Sequence, residues 1–286
     1  MSPELIADYQ CIIGENPLWH PIENQLYWLD IPNGRLFRYN PRTGEHENFY
    51  THGEEVGGFT FQPDGSLLLF MSRGAIAIWK DSKLTSVIDE IEGELESRFN
   101  DVIADPVGRV FCGTMPQESQ PGKLYRLDLD GSITEILDGI TCSNGLGFTP
   151  DLKQLYYTDS MKHEIYLFDY NQGTGSISNQ RVFVTIPEND GVPDGMTVDA
   201  EGYIWSAHWD GGCLVRFDPF GNEERRIEFP AKKVSSLSFG GEDLTDIYVT
   251  TAGGDNKSEE GAGAGALFRL NLGIQGVSEF SSQIDV

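Results

Sequence analysis

Six positions recur along the chain at intervals of 42, 43, 44, 50 and 41 residues: Glu15, Gly57, Asn100, Asn144, Asp194 and Ser235. Each stands just before one copy of a repeated motif, such as NPLWHPIENQLYWLD from Asn16, DVIADPVGRVFCGTM from Asp101 or GMTVDAEGYIWSAHW from Gly195. Two carboxylates and two carboxamides at one repeat position, brought to a common axis, are a set of oxygen donors. Carboxylates confined without compensation are expensive to desolvate, so a bound cation is the expected resolution. Oxygen donors with no obligatory His or Cys suit one hard divalent ion such as Ca²⁺, Mg²⁺ or Mn²⁺, with Fe²⁺ and Zn²⁺ also compatible. Three protein ligands would leave positions open for water and substrate, as in catalytic rather than closed structural sites. The competing reading is that these side chains only cap strand starts.

The elements that must position them follow from the repeat itself. In each copy two runs of period 2 flank a turn of Pro-Asp-Gly, Glu-Gly or Pro-Asp-Leu type, which reads as a hairpin. A third run follows, as in residues 35–39, 75–79, 123–127, 164–168, 213–217 and 266–270, and a weaker fourth precedes the next copy, as in 46–49, 134–137 and 181–184. Four strands in each of six repeats predict an all-β fold, a six-bladed β-propeller, as a single domain over residues 1–286. A large β-sandwich would not explain the regular spacing. The ring position then opens the innermost strand of each blade, where its side chain can face the central channel. Loops after second strands should rim the channel mouth, bringing Asp30, Met71, 115–118, Asp159, His208 with Trp209, and 251–253, while Arg98 and Asn100 arrive ahead of the third blade. An Arg, an Asn, a Glu and a His around a cation suit a polyhydroxylated or carboxylated small molecule. The Gly-rich stretch 252–266 is expected to be a mobile loop at the same mouth. Residues 4–8 and 277–280 compete to complete the sixth blade.

Composition narrows the partners. The 286 residues carry 45 acidic against 20 basic side chains, a formal net charge of −25. Nucleic acid and anionic membrane surfaces are thereby excluded as partners, since both would be repelled. Apolar runs such as 67–71 are far shorter than a membrane span requires. The start MSPELIADYQ has no basic segment leading into an apolar one, so a cytoplasmic protein is expected. Its low hydrophobicity predicts a monomer. Cys11, Cys112, Cys142 and Cys213 form no CxxC pair and read as reduced thiols. Gly261, Gly263 and Ala266 satisfy GxGxxA, but they lead into a strand rather than a helix, which rules out a dinucleotide fingerprint.

The fragments GENPLW (14–19), RFNDV (98–102), GTM (113–115), SNGLGF (143–148), YYTDS (156–160) and PDGMTVD (193–199) resemble, in order along the whole chain, the regucalcin/gluconolactonase family. This group is also called the senescence-marker-protein and luciferin-regenerating-enzyme group. The resemblance implies a six-bladed propeller, a divalent metal held by Glu15, Asn144 and Asp194, and hydrolysis of sugar lactones. It implies substrate contacts at Arg98, Asn100 and Glu118, and Asp194 as the general base. Asn16 stands where many members have Gly. The function expected is a metal-dependent lactonase acting on a gluconolactone-like aldonolactone. A non-catalytic calcium-binding or partner-binding propeller, and a phosphoester or organophosphate hydrolase, are the alternatives, because one scaffold hosts many activities.

Overall fold

A computed structural model of the chain describes residues 2–285. Six antiparallel sheets of four strands each are arranged as the blades of a propeller. The innermost strands are Gly14–His20, Val56–Phe61, Phe99–Ala104, Ser143–Phe148, Val192–Val198 and Val234–Gly240, and neighbouring ones pack around a closed ring. The first and second strands of each blade are buried on both faces because every sheet is covered by the next. A second strand such as Leu67–Met71 is accordingly apolar throughout, whereas the outermost strands, such as Lys83–Ile88, are largely exposed. Aromatic rings fill the wedges between blades: Trp28, Phe111 and Trp205 are fully buried, and Trp19 stacks on Tyr248 across the first and last blades at 6.0 Å.

The N-terminal segment completes the ring. Glu4–Asp8 pairs antiparallel with Ala266–Asn271 as the outer strand of the sixth blade, which removes an open edge. Residues 277–280 form no strand. The C-terminal segment instead crosses the channel end opposite the ring positions, where the Ser282 amide donates to Phe61 O at 2.9 Å and the Gln283 amide to Gly108 O at 2.8 Å. Among the described residues no helix is long and apolar enough to cross a membrane.

The Gly-rich stretch departs from the expected loop. It contains a short helical turn, Lys257–Glu260, and is pinned on several sides. The Gly253 and Gly254 amides donate to Ile12 O and Cys11 O, and the Gly263 amide to Pro230 O, at 2.9 Å each. The Glu260 carboxylate pairs with Lys233 at 2.7 Å. These contacts, none of which the glycine content reveals, tie the stretch to the N-terminal segment and the fifth blade.

Candidate active site

Every innermost strand breaks its pairing register at the ring position. The breaks fall between Glu15 and Leu18, Phe99 and Val102, Ser143 and Leu146, and Pro193 and Met196 in the four blades that supply polar ring residues. An irregularity of this kind re-aims side chains that a regular pleat would send into the sheet. It turns Glu15, Asn100, Asn144 and Asp194 into a cavity of about 350 Å³ at the channel mouth. Gly57 supplies no ligand for a steric reason: a Cβ there would lie 1.8 Å from Phe99 O. Ser235 is turned away, its hydroxyl donating to Gly14 O at 2.5 Å.

A hydrogen-bond chain holds the set in order. Arg98 Nη1 donates to Asn100 Oδ1 at 2.6 Å and to Phe99 O at 3.0 Å. Asn100 Nδ2 donates to Asn144 Oδ1 at 2.9 Å and Ser143 O at 2.7 Å. Asn144 Nδ2 in turn donates to Ser160 Oγ at 2.8 Å. The Asn144 amide is thus fixed with its oxygen toward Asn100 and the cavity, and one lone pair of that oxygen is uncommitted. Arg98 also lies 3.6 Å from Glu55.

The cavity gathers buried carboxyl groups. Glu15 and Asp194 are 8% and 5% exposed. Desolvation, then the charge of Asp101, push the Glu15 carboxyl up, against the Asn16 amide and Arg98. Desolvation, then Glu15 and Asp101, hold the Asp194 carboxyl well above its ordinary range. Desolvation lowers the Arg98 guanidinium, the one basic group in the wall. Among the described residues no three of His, Cys, Asp and Glu converge on one point. The donor set is mixed, two carboxylates with the Asn144 carboxamide oxygen, and it fits one hard divalent ion whose charge relieves the carboxylate repulsion.

Other expected residues lie elsewhere. Glu118 is exposed and does not line the cavity. Asp30 and Asp159 are fully buried ties rather than rim groups. Asp30 accepts from the Ile13 amide at 3.0 Å and pairs with Arg35 at 2.7 Å, and Asp159 accepts from the Thr141 and Cys142 amides at 3.0 Å each. His208 is also fully buried, with Nδ1 3.0 Å from Asp190 O, and is not in the wall. The 252–266 stretch does not line the cavity either. Met115 and Trp209, expected at the mouth, do line the cavity; what motif reading missed is the rest of the apolar wall, Ile13, Met161, Val192 and Pro193. Met115 stands in the GTM fragment and Ser160 in YYTDS, so both carried a signal. Cys142 also lines the cavity, but desolvation pushes its thiol up to about 12, which leaves it protonated and a poor nucleophile.

A propeller with carboxylates, a carboxamide and an arginine gathered at one channel mouth defines a class of small-molecule enzymes. Residues 13–253 match the SMP-30/gluconolactonase/LRE-like region, and the chain belongs to that family. It is 46% identical to a pentonolactonase of Haloferax volcanii over 99% of both chains, and 32% identical to human regucalcin over 97% of both. A luciferin-regenerating enzyme of known structure superposes with a TM-score of 0.88 at 27% identity, covering 99% of this chain and 100% of that one. The chain is accordingly a hydrolase of carboxylic esters, a lactonase.

Proposed function

We propose that the protein is a metal-dependent sugar lactonase that opens an aldonolactone to the aldonic acid. The observation that carries this reading is the convergence of Glu15, Asn144, Asp194 and Arg98 on one mouth cavity of about 350 Å³, a volume within the range of small-molecule sites. The pentonolactonase likeness supports a five-carbon aldonolactone, with gluconolactone as the six-carbon candidate. The site is complete within one chain, which is consistent with a monomer.

Glu15, Asn144 and Asp194 would hold the divalent ion, which would polarise the lactone carbonyl and compensate the two carboxylates. Asp194 acts as the base: it takes a proton from water as the water oxygen bonds to the carbonyl carbon. The same carboxyl returns the proton to the ring oxygen when the acyl carbon–oxygen bond breaks, giving the hydroxy acid. Arg98 has Nη2 free to meet sugar hydroxyls, since Nη1 is spent on Asn100 and Phe99. Asn100 has both ends of its amide engaged, so it orients Arg98 and Asn144 from the cavity wall. The apolar side chains opposite shield the reacting carbonyl from bulk water. Glu118 reaches a substrate only from the exposed loop after the second strand of the third blade.

Proton release from a panel of pentono- and hexonolactones, with divalent ions exchanged one at a time, tests the proposal. Lactone turnover that chelation abolishes and added ion restores is expected. Ion binding without turnover of any lactone, or turnover of phosphoesters alone, would overturn it.

A further inference from the structure

We propose that the propeller axis holds a second cation site, beyond the mouth site, between the carboxylates of Asp101 and Glu279. The irregular strand starts send successive residues to two different places. Glu15 and Asn100 line the mouth cavity, while the residues after them, Asn16 and Asp101, line a separate axial cavity of about 50 Å³. Thr60, Ser236 and Ser238 add hydroxyls to a wall otherwise made of apolar side chains such as Leu18, Phe59 and Leu146, and the C-terminal segment inserts Glu279. Liquid water takes roughly 30 Å³ per molecule, so this space suits one ion and one water.

The polar groups here are under-partnered in the direction a cation would satisfy. Asp101 accepts from its neighbour's amide, Val102 N, at 2.9 Å, and Glu279 accepts from the Thr197 hydroxyl at a long 3.3 Å. No Lys or Arg reaches the wall. Ser238 is 3% exposed and its hydroxyl has no partner among the described residues. Desolvation, with Asp101 as the further cause, pushes Glu279 up to about 7 against the Thr197 hydrogen bond. Charges along the axis do not balance with one ion either. Glu15, Asp194, Asp101 and Glu279 face a single guanidinium, so with all four ionised one divalent ion still leaves a negative charge uncompensated. The charged and hydroxyl groups of the wall are all oxygen donors, the kind a calcium-like ion takes.

Glu279 lies on the segment that crosses this end of the channel, anchored where Thr60 Oγ1 donates to Ser282 Oγ at 2.7 Å and Gln62 Nε2 to Ile284 O at 3.0 Å. A cation here would tie that segment to the third blade through Asp101 and so stabilise the closed ring by mass action.

Calorimetric titration of the chelator-stripped full chain with Ca²⁺ near neutral pH tests the site without reference to turnover. Two equivalents are expected for the natural protein, one for Glu279→Gln and one for Asp194→Ala, which removes the mouth ligand outright. Ser238→Ala should keep both equivalents with the second bound roughly tenfold more weakly, the scale of a lost supporting interaction. Glu279 lies outside the sheets, so an unchanged circular dichroism spectrum confirms that its variant folds. Loss of an equivalent in Glu279→Gln but not in Asp194→Ala would leave this site standing and count against the mouth site. Ca²⁺ binding that Glu279→Gln leaves unchanged, or no binding to the natural protein, would overturn the second site and show the two carboxyls to be held by protons instead.

Discussion

Replacing Glu15 by Gln should stabilise the metal-free protein and destabilise the metal-loaded one relative to the natural chain. Glu15 is buried, and desolvation with the Asp101 charge pushes its carboxyl from 4.5 to about 8. The folded value is raised, so below pH 4.5 both states are protonated and no differential exists. As pH rises from there the unfolded chain releases its proton while the folded chain keeps it, and stability falls until about pH 8. At pH 7 that difference amounts to at most ~3 kcal/mol. Gln keeps the shape and an acceptor oxygen for the Asn16 amide, which bonds Glu15 Oε2 at 2.9 Å, while removing the charge. A gain of ~1–3 kcal/mol corresponds to a melting temperature higher by roughly 3–8 °C for a chain of this size. Saturating ion reverses the order, because a ligand at a hundred times its Kd stabilises by ~2.7 kcal/mol and the variant binds it less well. Differential scanning calorimetry with chelator and with excess ion, at pH 7 and pH 5, reads all of this. A metal-free variant less stable than the natural protein at pH 7, or the same order of melting with and without ion, would refute the reasoning.

His208 is held neutral by desolvation, its folded value lowered from 6.5 to about 4; stability should be full above pH 6.5 and fall by up to ~3 kcal/mol toward pH 4, with His208→Gln flattening that slope in urea titrations. Gly57→Ala drives a Cβ to within 1.8 Å of Phe99 O and should cost ~3 kcal/mol or more, read from the denaturant midpoint. Arg98→Lys loses Nη2, the donor left for substrate once Nη1 holds Phe99 O and Asn100 Oδ1, and kcat/KM for the preferred lactone should drop roughly 10–100-fold, the worth of one charged hydrogen bond.

The propeller and its axial ring were legible in the sequence because a repeat converts spacing into geometry: residues at equivalent positions must share a ring. Glu15, Asn100, Asn144 and Asp194 could therefore be picked out without knowledge of any side-chain contact. The register breaks were not legible. A period-2 pattern assigns alternate residues to opposite faces, so it cannot show that Asn100 and Asp101 both turn toward the axis, into separate cavities. Asp30, Asp159 and His208 lie within the ends of the second strands rather than in the loops beyond them, and burial decides their role. The apolar pattern of 277–280 resembles a strand as well as 4–8 does. Only the pairing of Glu4–Asp8 with the third strand of the sixth blade separates the two. Glycine content in 252–266 suggested mobility, whereas the hydrogen bonds that hold that stretch come from distant residues.

The dependence of kcat on divalent-ion concentration, compared between Asp194→Asn and Asn144→Ala, tests the central claim most directly. Asn at 194 keeps an oxygen that can coordinate but cannot accept the proton of water, so turnover should stay reduced by roughly 10²–10⁴ at saturating ion. Asn144→Ala removes a neutral oxygen donor, so its activity should climb back toward that of the natural protein as ion is added. Full recovery of the Asp194 variant by excess ion would contradict the assignment of Asp194 as the base and leave it a ligand alone.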